Sequence, residues 1–250
     1  MKKLFNVDKN NENNSPEYSR ILENILPDSE ILKTQSIKEY QEWALEKDRL
    51  LSEVASRDDG FKLFMRPYRH PIAKRFYEEI KPLAAFLELQ KFLKSTDMVQ
   101  LSPDDADYDA CISDNNGNVF YIEITVIYKD EQDVLGDIIL NKQGHFVNGA
   151  KVEKIGNKML AYDSLSAPFE FNDILDETLR KIKVAIKNKN KKDYPKKTLL
   201  VIGGICNGEY LDQDKSKIQS VLEETNSDKF TGTFFVDLNK RVFCYKNWIQ

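Results

Sequence analysis

The stretch DYDACISDNNGNVFYIEITVIY, residues 107–128, holds two apolar runs around a polar turn signal, and each run carries acids where a strand core is expected. Residues 119–127 read as a strand, yet Glu123 sits between Ile122 and Ile124, and an inward carboxylate without a partner is costly. Asp107 and Asp109 interrupt the upstream run in the same way. Between the runs, Asn115-Asn116-Gly117 fits a three-residue hairpin loop with Gly117 in the left-handed position. That loop pairs Asp114 with Asn118 and, counting back, Asp109 with Glu123 and Asp107 with Thr125. Directly opposite residues share a face, so the register predicts three carboxylates and a threonine together at one end of a strand pair. Such a cluster calls for a compensating cation, because neighbouring like charges otherwise suppress ionisation. Oxygen donors alone select a hard ion, Mg²⁺ or Mn²⁺.

Working outward, apolar spacing predicts a helix over about Ala73–Leu93, with Pro82 able to kink it. DMVQLS (97–102) reads as a short strand ahead of the hairpin. Beyond it, residues 129–171 are glycine-containing and irregular with room for short strands, as in a functional or mobile insertion. A helix follows over about 172–191, with Leu175, Leu179, Ile182 and Ile186 as its buried stripe. Arg180, Lys183, Lys187 and Lys191 form a second stripe roughly 120° around, by the 3.6-residue period. TLLVIGG (198–204) is a continuous apolar run, as in a strand buried on both faces. A further helix (214–225) and a hairpin (TGTFFVDL, 231–238, then RVFCYKNW, 241–248) complete the chain. Strand, helix and buried strand in succession require a parallel crossover, so the fold class is α/β (α+β) with a mixed central sheet flanked by helices.

Upstream, residues 1–16 are Asn-rich and are expected to be a disordered tail. Residues 17–72 read as an N-terminal helical extension, in which Ser36 and Glu39 match a capping box, and residues 73–250 as the α/β domain. With 41% hydrophobic and 31% charged residues the composition is that of a soluble globular protein. The opening residues lack the apolar stretch of a signal peptide and no run is long enough to span a bilayer, so a cytoplasmic location is expected. Cys111, Cys206 and Cys244 fit neither a zinc spacing nor a disulfide framework and read as buried thiols. His70 and His145 offer no metal-pair spacing, and VIGGICNG (201–208) lacks the residues of a phosphate-binding loop.

The net charge of −4 conceals an asymmetry: Arg180–Lys197 holds nine basic residues and one acidic, a local +8, so the remainder carries −12. One basic element on an acidic protein points to a localised contact with something anionic.

An α-β-β-β-α-β order with an aspartate on the second strand and E-x-K on the third resembles the PD-(D/E)xK, restriction-endonuclease-like, nuclease superfamily. Asp107-Tyr108 is similar to the first half-motif and Glu123-Ile124-Thr125 to the second, with Ala106 in the place of a proline and Thr125 in that of the lysine. The resemblance covers about half the chain. It implies a restriction-endonuclease-like core and metal-dependent cleavage of phosphodiester bonds in DNA, or less readily RNA. Asp107, Asp109 and Glu123 would hold the metal, and a lysine from elsewhere would orient water. Lys129, about 13 Å along the strand at roughly 3.3 Å per residue, is one source; Lys183 or Lys187 on the next helix is the favoured one. Arg180, Lys183, Lys187, Lys189, Lys191, Lys192, Lys196 and Lys197 would contact phosphates. Glu79, on the preceding helix, reads as a solvated residue or a further acid. Two alternatives stay open: a catalytically inactive module of the same fold that binds nucleic acid, or a protein that meets a partner chain or a second copy through its N-terminal helices around Trp43.

Overall fold

The computed structural model describes residues 3–6, 16–65, 70–103, 105–127, 151–155, 158–162, 171–204, 212–225, 227–238 and 243–246. Its centre is a seven-stranded mixed sheet flanked by helices. In chain order the elements are β1 (Lys3–Asn6), α1 (Pro16–Ile25), α2 (Asp28–Ile31), β2 (Gln35–Ser36), α3 (Ile37–Arg57) and α4 (Asp59–Phe64). Then come α5 (Pro71–Arg75), a π turn (Phe76–Ile80), α6 (Lys81–Leu89), β3 (Met98–Leu101), β4 (Ala110–Ser113) and β5 (Val119–Val126). The rest are β6 (Lys151–Ile155), β7 (Lys158–Tyr162), α7 (Phe171–Lys189), β8 (Thr198–Gly204), α8 (Asp212–Glu224), β9 (Gly232–Asp237) and β10 (Phe243–Lys246).

The main sheet runs β10-β9-β8-β5-β4-β3-β2. Strands β2 to β5 are mutually antiparallel, β5, β8 and β9 are parallel, and β10 returns antiparallel as the expected closing hairpin. The crossovers through α7 and α8 supply the parallel pairs. Gly117 has φ 82°, and the Asp114 carboxylate accepts from the N–H groups of Asn116 and Asn118, both at 2.8 Å, closing the turn as read from the sequence.

On the first face, Ile112, Ile122, Ile124, Leu199, Val201, Phe234 and Val236 form one core with Leu22, Ile37, Tyr40, Phe61, Phe76, Leu83 and Phe86. Residues 17–72 therefore share the sheet's own core. The Ser36–Glu39 capping box starts α3, and Trp43 is engaged within the chain, donating to Glu30 at 3.0 Å and packing on Tyr40. The expected kink at Pro82 takes the form of the π turn. Proline lacks the N–H that would bond one turn back, and its ring crowds that carbonyl; widening the preceding turn relieves both. The helix ends at Leu89, where Gln90 accepts from the N–H groups of Phe92 and Leu93 at 2.9 and 2.7 Å.

On the second face, Leu175, Ile182 and Ile186 of α7 and Ile218 and Leu222 of α8 pack on Leu200, Ile202 and Phe235. β8 is buried throughout, as its unbroken apolar run predicts. A Cβ on Gly203 would stand 3.2 Å from Pro82 and one on Gly204 2.7 Å from the Phe235 ring, so both glycines permit close approach.

A three-stranded sheet, β1-β7-β6, departs from expectation. It departs in recruiting Lys3–Asn6 from the segment read as a disordered tail; β6 and β7 are short strands of the kind read within 129–171. Cys111 and Cys244 are free thiols, half-buried and buried; Cys206, His145 and Lys129 lie outside the described residues. No helix among the described residues is long and apolar enough to cross a membrane.

A buried acid pair with a lysine from the crossover helix

Glu123 lies on the second face of β5, beside Leu200 of β8, and is only 4% exposed. Two donors from the end of the crossover reach one of its oxygens, Oε1: the Lys189 ammonium at 2.5 Å and the Tyr194 hydroxyl at 3.3 Å. The Lys189 side chain is itself 21% exposed, so this ion pair is largely withdrawn from water. Leu175, Ile182 and Lys189 are spaced by seven residues, two helical turns, which puts the lysine on the apolar stripe of α7. Arrival at the polar end of that stripe aims its ammonium at the buried acid.

Asp109 completes the group through a break in the β4–β5 ladder. The pairing runs regularly from Ser113↔Val119 to Ala110↔Ile122. At the next residue the Asp109 N–H donates again to the Ile122 carbonyl, at 2.9 Å. Two residues thus face one, the count that defines a β-bulge. The Ile124 N–H, which the ladder would have given to a main-chain carbonyl, goes to the Asp109 carboxylate at 2.6 Å.

This break corrects the expected cluster. Asp109 and Glu123 do come close, through the bulge and not as directly opposite residues, while Asp107 is carried off the ladder into an exposed bend and does not pair with Thr125. Thr125 is half-buried and pairs along β8 with Ile202. No group of three or more His, Cys, Asp and Glu side chains gathers around one point among the described residues.

The electrostatics follow from this packing. Burial, and then the Glu123 charge, push the Asp109 carboxyl up to about 6; the Ile124 N–H, Lys189 and Lys192 oppose the rise. Burial and Glu123 likewise hold the Tyr194 hydroxyl well above the usual tyrosine range, so it stays a proton donor. The Lys192 charge reaches Asp109 although its side chain is exposed.

The favoured lysines, Lys183 and Lys187, are exposed, as are Arg180, Lys191, Lys192 and Lys196, and Lys197 lies with its ammonium over the Phe120 ring. Arg180 is engaged by Glu177 at 2.6 Å, and Lys191 donates to Asn188 at 3.0 Å. His70 caps α5, accepting from the Ile72 N–H at 3.3 Å and packing against Phe64. Glu79 is not a solvated residue: Arg75 pairs with it at 3.3 Å, and its carboxylate side chain is 29% exposed. Reasoning from sequence missed Lys189 as the partner of the acid and Tyr194 altogether.

Comparison with protein-family models, curated proteins and solved structures finds no match, so the site's own chemistry carries the functional reading.

Proposed function

We propose that the protein is a metal-dependent nuclease with a restriction-endonuclease-like core, acting on DNA in preference to RNA. The observation that carries this reading is the Lys189 ammonium 2.5 Å from the buried Glu123, with Asp109 beside the pair. An acid pair, one on β5 and one immediately before β4, and a lysine close to them are the parts that metal-assisted phosphodiester hydrolysis needs, and α7 supplies the lysine that Thr125 replaces.

Two carboxylates suit Mg²⁺ or Mn²⁺. Such an ion keeps several of its waters and takes one or two protein carboxylates with the substrate phosphate. Lys189 and Tyr194 converge on Oε1 of Glu123, and its second oxygen and the Asp109 carboxylate would hold the cation. The bound ion would polarise the phosphoryl group and acidify a water. In the hydrolysis, a water oxygen bonds to phosphorus as the bond to one sugar oxygen breaks. The water's proton passes to solvent, and the leaving oxygen takes one back. Lys189 positions the attacking water and balances charge on the phosphoryl oxygens. Tyr194 keeps Glu123 oriented. Lys183, Lys187, Lys191, Lys192 and Lys196 give the exposed cationic surface that draws the polyanion without reading its sequence.

The test is cleavage of supercoiled plasmid and of single-stranded DNA with Mg²⁺ or Mn²⁺, against EDTA and against Glu123→Gln. Metal-dependent nicking that disappears in the variant supports the reading; nicking that persists in it refutes the site. A second reading, an inactive module that binds nucleic acid, is favoured by the neutralisation of Glu123 by Lys189. Retained DNA binding without cleavage by any metal would select it.

A further inference from the structure

We infer that the half of the sheet's second face left uncovered by the described helices, beside Asp109 and Glu123, seats a single-stranded nucleic acid, with Tyr108 and Tyr121 stacking on an unpaired base. The inference deepens the nuclease reading and rests on it for where the phosphate lies. Helices α7 and α8 cover β8 and β9 on this face. Over β3 and β4, among the described residues, side chains emerge: Met98 and Gln100 are exposed, and Cys111 and Ser113 are half-buried.

At the boundary between the covered and open halves stand the two tyrosines. Their ring centroids are 4.6 Å apart with planes inclined at 58°, and both are half-buried. Tyr121 points to the same side of β5 as Glu123, two residues earlier, and lies opposite the small side chain of Cys111. Tyr108 immediately precedes Asp109, on the segment displaced by the bulge. The same displacement that brings Asp109 to Glu123 therefore brings a ring onto Tyr121.

The charge around the pair matches a polyanion. Lys192 acts on Asp109 from the side of α7, and Lys191 and Lys196 are exposed along the same connection. Phosphates held on that side leave the sugar–base side of a strand toward the rings. Stacking on aromatic side chains requires an unpaired base, since bases within a duplex already stack on one another. A duplex laid over this face could make only the phosphate contacts. The geometry thus assigns the substrate class: single strands, or the single-stranded part of a flap, loop or gap.

Binding of labelled oligo-dT, oligo-rU and a duplex of equal length, followed by fluorescence anisotropy on the full chain in EDTA, tests this apart from cleavage. Tighter binding of a single strand than of the duplex is expected, and the dT and rU arms show which sugar is preferred. Tyr108→Leu and Tyr121→Leu should each weaken single-strand binding by roughly 5- to 150-fold, matching about 1–3 kcal/mol per stacked base, with duplex binding little changed. In the unaltered protein, photocrosslinking of an oligonucleotide carrying iodouracil should map to Tyr108 or Tyr121, which removes dependence on the variants' folding. Equal affinity for duplex and single strand, no binding, or crosslinks confined to other regions would overturn the inference. Plasmid nicking with Glu123→Gln as control decides the nuclease reading separately.

Discussion

Replacing Asp109 by asparagine should make the protein more stable at neutral pH while removing the proposed activity. Burial and Glu123 raise the Asp109 carboxyl from the ordinary 3.8 to about 6. The folded chain then binds this proton more tightly than the unfolded chain, so Asp109 costs nothing well below pH 4. The cost grows as pH rises from about 4 to 6 and is complete above about 7. At roughly 1.36 kcal/mol per pH unit, the full penalty is about 3 kcal/mol. Asparagine has nearly the same shape, and its Oδ1 can keep the 2.6 Å bond from the Ile124 N–H. Its amide N–H₂ needs a partner that the carboxylate did not, which returns about 1 kcal/mol of the gain.

The net expectation is about 2 kcal/mol of stabilisation at pH 8, falling toward zero at pH 4. For a chain of this size that is a rise of about 4–8 °C in Tm. Urea unfolding in EDTA, followed by tryptophan fluorescence at pH 4, 6 and 8, measures it. A loss of stability at pH 8, or a change of equal size at every pH, would refute the claim that Asp109 is held ionised against its surroundings. Saturating Mg²⁺ should narrow the difference at pH 8, because a cation bound to the acid pair stabilises the unaltered chain and not the variant.

Lys189→Met should cost about 2–4 kcal/mol at pH 8 by leaving the buried Glu123 charge unpaired, and should abolish cleavage; Lys183→Met and Lys187→Met should each stay within about 0.5 kcal/mol in denaturant unfolding. Equal effects of the three would remove Lys189 from its special place. Tyr194→Phe should destabilise by about 1 kcal/mol and slow cleavage several-fold with KM nearly unchanged, read by steady-state kinetics with a pH profile. Gly204→Ala should lower stability by roughly 1–3 kcal/mol, since the new methyl would meet the Phe235 ring at 2.7 Å; an unchanged Tm would show that this ring can move aside.

The features legible in the sequence were those set by local chemistry or strict alternation. Gly117 announces the turn, the turn sets the register, and the register carries the strand pair as far as Ala110 and Ile122, next to both acids. Ser36 and Glu39 announce the start of α3, and the apolar run of residues 198–204 announces a strand covered on both sides. What escaped depends on side chains that replace main-chain partners. Alternation counts Asp107 onto the same face as Thr125, but it does not foresee the Asp109 carboxylate taking the Ile124 N–H and shifting the ladder. Lys189 did leave a signal, a charge at the seven-residue spacing of Leu175 and Ile182, which a search for a basic stripe on the solvent face passes over. Tyr194, beside Pro195, reads as a helix stop until the connection is seen folding back over β5. The short strands β1, β6 and β7 carry no clear alternation and depend on pairing with one another.

The division of the sheet explains why the acid pair is tolerated at all. An ionised carboxylate withdrawn from water, with a second beside it, works against folding, and one lysine only partly offsets that. The first face carries no such burden. There Ile122 and Ile124, the neighbours of Glu123 on the same strand, are buried with Leu199, Val201, Phe234 and Val236 against α3 and α6. Glu123 on one side of β5 is thus anchored by the apolar residues directly before and after it on the other, and α6 lies close against Gly203 at Pro82. A strand held this firmly from one face can keep a strained charge arrangement on its other face, which is the condition a preformed catalytic site requires. If so, loosening the first face by Ile124→Ala should weaken the Lys189–Glu123 coupling as well as global stability. A double-mutant cycle between Lys189 and Glu123, measured in both backgrounds, would show the coupling energy fall in the altered core. A coupling that survives unchanged would mean the site is held by α7 alone.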